Sequence, residues 1–181
     1  MQEKISKMLQ VNVVTTGGTI EKVYSEQTST VENLDNQINR YLIRLRHPDC
    51  DVRVVPVMNK DSLEMTDADR STILEVIKPM LSESSAVVIT HGTDTMVMTG
   101  LYLKQALPEL KVPIVLTGAM TPLGFEGSDG LQNLTESLFA VRILPPGIYV
   151  VMHNQAFPID RVRKDRETSR FVWIDPDPHL L

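Results

Sequence analysis

Cysteine is nearly absent: Cys50 is the one thiol in 181 residues, set in a His-Pro-Asp-Cys loop. That excludes an internal disulfide and any multi-cysteine zinc site, and it fits a reduced, intracellular setting. Long apolar runs are missing as well. The chain begins MQEKISKMLQ, with charges where a secretory leader needs an apolar core, and no stretch approaches the roughly 20 residues that span a bilayer. A cytoplasmic protein with no membrane partner is expected. Nor is there a block of one charge: 18 Lys and Arg are interleaved with 23 Asp and Glu, for a net charge of −5, which argues against a nucleic-acid partner. Repeats, low-complexity tracts and linkers are lacking, and 181 residues that are 42% hydrophobic suffice for one core but are short for two. Residues 1–181 are therefore expected to form one domain. Finally, the glycines at Gly17-Gly18 lack the spacing of GxGxxG or GxxxxGK, and no acidic cluster follows the first strand. A nucleotide binder or phospho-receiver is a weak reading.

What the chain does have is centred on Val11 to Ile20, VNVVTTGGTI, a β-branched run that stops at Gly17-Gly18 and is followed by the Thr19 hydroxyl. This reads as a buried strand whose following loop needs permissive backbone angles and close approach to something. Alone, it is equally a tight strand-to-loop turn with an incidental threonine. Further on, strand-length apolar runs alternate with segments of helical period, the pattern of βαβ units. Leu34, Ile38, Tyr41, Leu42 and Leu45 mark one face of a helix ending before Pro48, after a polar loop from Glu21 to Thr30 with few anchors. Val52 to Met58 is a second strand; Thr66 then caps a helix with Asp67 and Asp69 in its first turn and Ile73, Leu74, Ile77, Met80 and Leu81 along its buried stripe. Strands at Ala86 to Thr90, Pro113 to Thr117 and Gly147 to Met152 follow, with helices after the third and fourth; Ser128 and Asp129 are candidate caps for the latter. His153 to Leu181 is mixed in charge and closes with prolines that argue against a long final helix. About five parallel strands with intervening helices make a flavodoxin-like three-layer α/β sandwich, in which the loops after the first, second, third and fifth strands share one rim.

On that rim, Thr19 and Thr93 each follow a strand beside a glycine, and Thr93 is followed by Asp94. A threonine hydroxyl is a poor nucleophile until a base takes its proton and donors hold the oxyanion; Gly92 lets backbone come close enough to supply one. The competing reading of His91 to Thr95 is a helix start capped by Thr93 or Asp94.

TTGGTI and HGTDT, in this order after successive strands, resemble the two signature motifs of the bacterial-type L-asparaginase and glutaminase family. Asp61-Ser62 followed by Met65, TGAM at Thr117 to Met120, Ser128-Asp129-Gly130 and Asn133 extend the resemblance over nearly the whole chain. It implies an amino-terminal α/β domain of that family, a small-molecule amide as substrate, and no cofactor or metal. By the same resemblance, Thr19 is the nucleophile, Tyr24 the lid tyrosine, and Thr93, Asp94 and Lys164 a relay, for which Lys164 must be neutral to act as a base. Gly18, Asp61, Ser62, Gly92, Thr93 and Asp94 would hold the substrate, with Ser62 receiving its α-carboxylate. Lys164 lies among Arg161, Arg163 and Arg166, so it competes with a reading as a solvated surface cation. Full-length members of the family carry a second, carboxy-terminal domain that lends groups to a neighbouring subunit; this chain resembles the amino-terminal domain alone, a short-chain form. The family forms dimers and tetramers, so a homo-oligomer is expected. The implied reaction converts L-asparagine to L-aspartate and ammonia; a glutaminase domain feeding an amidotransferase and a non-catalytic amide-binding module are the alternatives.

Overall fold

A computed structural model describes residues 8–32 and 37–175. In chain order the elements are β1 (Leu9–Gly17), β2 (Val23–Ser25), β3 (Thr30–Glu32), α1 (Ile38–Leu42), β4 (Cys50–Lys60), α2 (Asp67–Glu83), β5 (Ala86–Thr90) and α3 (Met96–Ala106). They continue with β6 (Pro113–Thr117), α4 (Gly130–Ala140), β7 (Gly147–Met152), β8 (Gln155–Pro158), β9 (Val162–Asp165) and β10 (Arg170–Trp173). The central sheet has six strands in the order β4-β1-β5-β6-β7-β8, parallel except for the antiparallel edge strand β8. Its five parallel strands have the flavodoxin-like order and reverse direction of winding at β1, where such sheets open a ligand crevice at their carboxyl ends.

Strand alternation builds two cores. Val14, Val87, Ile89, Ile114, Leu116 and Val150 face α2 and α3, through Ile73, Ile77, Met96 and Leu103. Their neighbours Val11, Val13, Val88, Val115 and Val151 face α1 and α4, through Ile38, Leu42, Leu134 and Leu138. A strand buried on both faces reads as a continuous apolar run, which is why β1, β5 and β6 stand out in the sequence. At the edge, β4 buries only Cys50, its other residues being half-buried or exposed, and it tolerates Pro56, as an outer strand does.

The helix start at Thr66 is as expected: its hydroxyl accepts the Asp69 N–H, and Asp69 accepts the Thr66 N–H in return. Other expectations are corrected. Asp129 does not cap α4; its carboxylate turns to the Met120 and Thr121 amides, Asn133 and His153, while Ser128 accepts the Gly130 N–H. Burial alone would raise the Asp129 pKa, but these hydrogen bonds outweigh it and hold it below the ordinary range. Helix α1 is one short turn, because after Leu42 the backbone tightens into three-residue steps at Arg44 and Leu45; its apolar face is nevertheless the expected one. Leu34 and the closing Pro176 and Pro178 lie outside the described residues.

The segment from Glu21 to Thr30 is not a loop with few anchors. Glu21 is buried, Lys22 pairs with Asp61 at 2.7 Å, and β2 and β3 form a hairpin. The stretch after Met152, for which no strand was expected, holds three short strands. His153 and Asn154, both at positive φ, turn β7 tightly into β8, and β9 pairs with β10. No described helix is long and apolar enough to cross a membrane.

Candidate active site

Three loops meet at the carboxyl end of the sheet, and two glycines let them meet. Gly18 has φ 82°, and a Cβ there would lie 2.4 Å from the Cα and N of Gly92. A Cβ on Gly92 would lie 2.6 Å from the Cβ and Oγ of Ser62. The loops carrying Thr19 and Thr93 are thus stacked backbone against backbone, and the Ser62 side chain lies on the Gly92 backbone, at distances that a side chain on either glycine would forbid. Polar ties complete the stack. Thr95 donates its hydroxyl to the Ser62 carbonyl at 2.7 Å, which joins the Thr93 loop to the Ser62 loop. Lys22, just beyond Thr19, reaches Asp61 on the Ser62 loop. The Asp61 carboxylate also accepts the Leu63 N–H; the Lys22 contact foremost, then that amide, holds its pKa below the ordinary range. Asp61 therefore braces the rim with the same carboxylate that sequence reasoning assigned to substrate.

Neither Thr93 nor Asp94 caps α3. The helix starts after Thr95, and the two side chains point instead to β9, where Lys164 donates to Thr93 Oγ1 at 2.7 Å and to Asp94 Oδ1 at 3.1 Å. The guanidinium of Arg166 lies 3.3 Å from the same Asp94 oxygen, but its side chain is 71% exposed against 16% for Lys164. Within β9, strand period separates the lysine from Arg163. Val162 and Lys164 point to one face and Arg163 to the other; Lys164 sits opposite buried Phe171, and Val162 opposite Trp173. Trp173 in turn packs on Phe157, ring centres 4.9 Å apart. An aromatic base thus carries an amine to a hydroxyl some 70 residues earlier in the chain.

Tyr24 is less committed. It is exposed on β2 and lines a groove with Arg40, Tyr41 and Phe125. Thr19 is half-buried in the turn Thr19–Glu21 directly after Gly18.

Two buried groups escaped sequence reasoning. His91 is fully buried; the Gly92 carbonyl can only accept, so His91 Nδ1 carries the proton and Nε2 accepts from the Thr99 hydroxyl. Burial pushes its pKa down to about 4, against the Gly92 contact and with help from Arg70, so the ring is neutral and fixes the peptide beside Thr93. Its place in HGTDT was the available signal, but the attention that Thr93 and Asp94 draw hid it. Glu21 is the second: its carboxylate accepts the Gly17 N–H at 3.0 Å, and burial, opposed by that bond, pushes its pKa up to about 7. Nothing in the sequence distinguishes it from a surface acid. Among the described residues no group of three or more His, Cys, Asp or Glu could hold a metal ion.

Residues 10–173 match the family described as Asparaginase, N-terminal. Among relatives, L-asparaginase 1 of Escherichia coli is 34% identical over 94% of this chain and 52% of its own length. The solved structure of the thermostable L-asparaginase from Thermococcus kodakarensis superposes with a TM-score of 0.81 at 28% identity, over 93% of this chain and 52% of that one. That of a probable cytoplasmic L-asparaginase from Campylobacter jejuni does so with a TM-score of 0.72 at 27% identity, over 86% and 48%. The chain spans about half the length of the curated relatives it matches.

Proposed function

Because this chain belongs to the asparaginase family, we propose that its 181 residues are one amino-terminal asparaginase domain that hydrolyses L-asparagine to L-aspartate and ammonia. The observation that carries this reading is the Lys164 amine on Thr93 and Asp94, beside the glycine stack that brings the Thr19 loop to the Thr93 loop. Since Thr93 accepts from Lys164, its own O–H is left to donate toward a substrate. Thr19 attacks the side-chain amide carbon, and the proton it gives up is passed through Thr93 and Lys164 to the departing nitrogen, so that the C–N bond breaks and ammonia leaves. Water then cleaves the aspartyl ester on Thr19. Ser62, with Gly18 and Gly92 beside it, takes the α-carboxylate, and Asp94 the α-ammonium. Asp61 braces Lys22, and Tyr24 covers Thr19 when the β2–β3 hairpin closes. No cofactor is needed for this chemistry.

The setting we propose is a homo-oligomer in the cytoplasm. The Campylobacter protein's description supports the compartment. Exposed Phe139 and Ile143, at and beyond the end of α4, support apolar contact with a second copy. Light scattering on the purified chain checks the assembly. The function is tested by measuring ammonia from L-asparagine, from L-glutamine and from buffer. Release from asparagine supports the reading; release from glutamine alone favours a glutaminase feeding an amidotransferase. Saturable amide binding without turnover indicates a binding module.

A further inference from the structure

Glu21 is a buried acid that the proposed chemistry does not use. It is 2% exposed, and among the described residues it makes no ion pair; its carboxylate accepts a backbone N–H instead. We propose that Glu21 is a positioning residue for the nucleophile: by taking the Gly17 N–H, its carboxylate locks the Gly17–Gly18 bend that aims Thr19 at the substrate amide. The inference rests on the reading of Thr19 as nucleophile.

The bend needs a lock. Gly17 and Gly18 sit at φ 90° and 82°, consecutive positive values with no side chain to restrain them. The register of β1 on β4 shifts between Thr15 and Gly17, so the ladder is irregular where the bend begins. There the Gly17 N–H goes to Glu21 Oε2 at 3.0 Å, while the Glu21 N–H goes to the Gly18 carbonyl at 3.1 Å. One residue therefore clasps both glycines, and Thr19 lies inside the closed ring. Without the carboxylate, a buried amide donor would lose its partner. A buried acid is a costly way to fill space, since burial pushes its pKa up to about 7. An apolar side chain would fill the volume more cheaply; only an acceptor at that point also holds the bend.

The test compares Glu21→Gln and Glu21→Leu with the wild-type chain in three measurements: melting temperature, steady-state kinetics on L-asparagine, and hydrogen exchange of the Gly17 amide by NMR. Glutamine keeps an acceptor oxygen. Its variant should keep Gly17 protection and a kcat within about threefold of wild type, because the geometry is preserved. The leucine variant should still fold, keep KM within about twofold, lose about 50-fold or more in kcat, and exchange Gly17 about tenfold faster. A folded leucine variant with wild-type kcat overturns the inference, as does equal Gly17 exchange in all three proteins. Should the leucine variant fail to fold, the glutamine variant decides, and loss of its kcat with Gly17 still protected overturns the inference. If the wild-type chain turns over no amide, the proposed function falls, whereas Gly17 exchange in the variants still shows whether Glu21 holds the bend.

Discussion

In the proposed reaction a single proton path runs through Thr93, Asp94 and Lys164, which are joined by hydrogen bonds at Lys164, and groups in one path do not contribute independently. Thr93→Ala and Lys164→Met should each lower kcat by about 100- to 10,000-fold, the usual range for a proton-transfer group. The double variant should fall little below the worse single one, as steady-state rates of all three would establish; additive losses would mean separate roles. Glu21 yields a prediction about stability. Its pKa rises from 4.5 to about 7 on folding, so the folded state resists ionisation. Below pH 4.5 both states are protonated and there is no penalty; as pH rises through 4.5 to about 7 the unfolded state ionises first and stability is lost. Glu21→Gln removes that loss. Urea unfolding should show the variant equal to wild type near pH 4.5 and more stable by on the order of 3 kcal/mol at pH 8. A difference independent of pH would contradict the assignment. Thr19, Thr93 and Asp94 were legible in the sequence because motif residues flank glycines at strand ends. Glu21 was not, because burial is what makes it unusual and no local pattern encodes it; His91 stands in HGTDT, but its burial is not written there.

Among the elements, β5, β6 and β7 were read to the residue, β5 and β6 because strands buried on both faces are unbroken apolar runs, while β1 starts two residues earlier than read and the edge strand β4 extends two residues further at each end. The short strands β2, β3, β8, β9 and β10 were missed. Each has three or four residues, mixes charge with apolar side chains, and takes its stability from a partner strand. That loss matters most for β9, because the strand period separates Lys164 from Arg163, and burial against the aromatic base separates it from exposed Arg166. Once β9 is known, Val162 and Lys164 lie inward against Phe171 and Trp173, Arg163 points away, and the 71% exposure of Arg166 leaves Lys164 as the candidate. The loop stack gives the sharpest test at this scale. Gly92→Ala places a Cβ 2.6 Å from Ser62, so the loops must part. The expected cost is about 1 to 3 kcal/mol of stability, typical of overpacking, and about 100-fold or more in kcat/KM, because misplacement of about 1 Å is enough for that. Calorimetry and kinetics on one preparation would check both; an alanine variant with normal kcat/KM would mean that the stack does not form the site.

For the whole molecule, the sheet order, the two cores and the meeting of loops at the carboxyl ends around β1 follow one logic, in which five parallel strands bring distant residues to one rim. If the α-groups of the substrate are anchored at Ser62 and Asp94, the distance to Thr19 sets which amide is reached. One extra methylene displaces the glutamine amide, so kcat/KM for glutamine should be on the order of 100-fold below that for asparagine. Paired kinetics on the two amides would reveal this, and equal turnover would place the α-groups elsewhere. The most direct test of the account is the rate of ammonia release from saturating L-asparagine by the wild-type chain and by Thr19→Ala, with folding of both verified by circular dichroism. The account predicts turnover by the wild-type chain and a loss of about 1,000-fold or more in the variant, as for removal of an activated nucleophile. A folded Thr19→Ala protein within about tenfold of the wild-type rate would contradict it, since no remaining group could then owe its reactivity to the Thr19 loop.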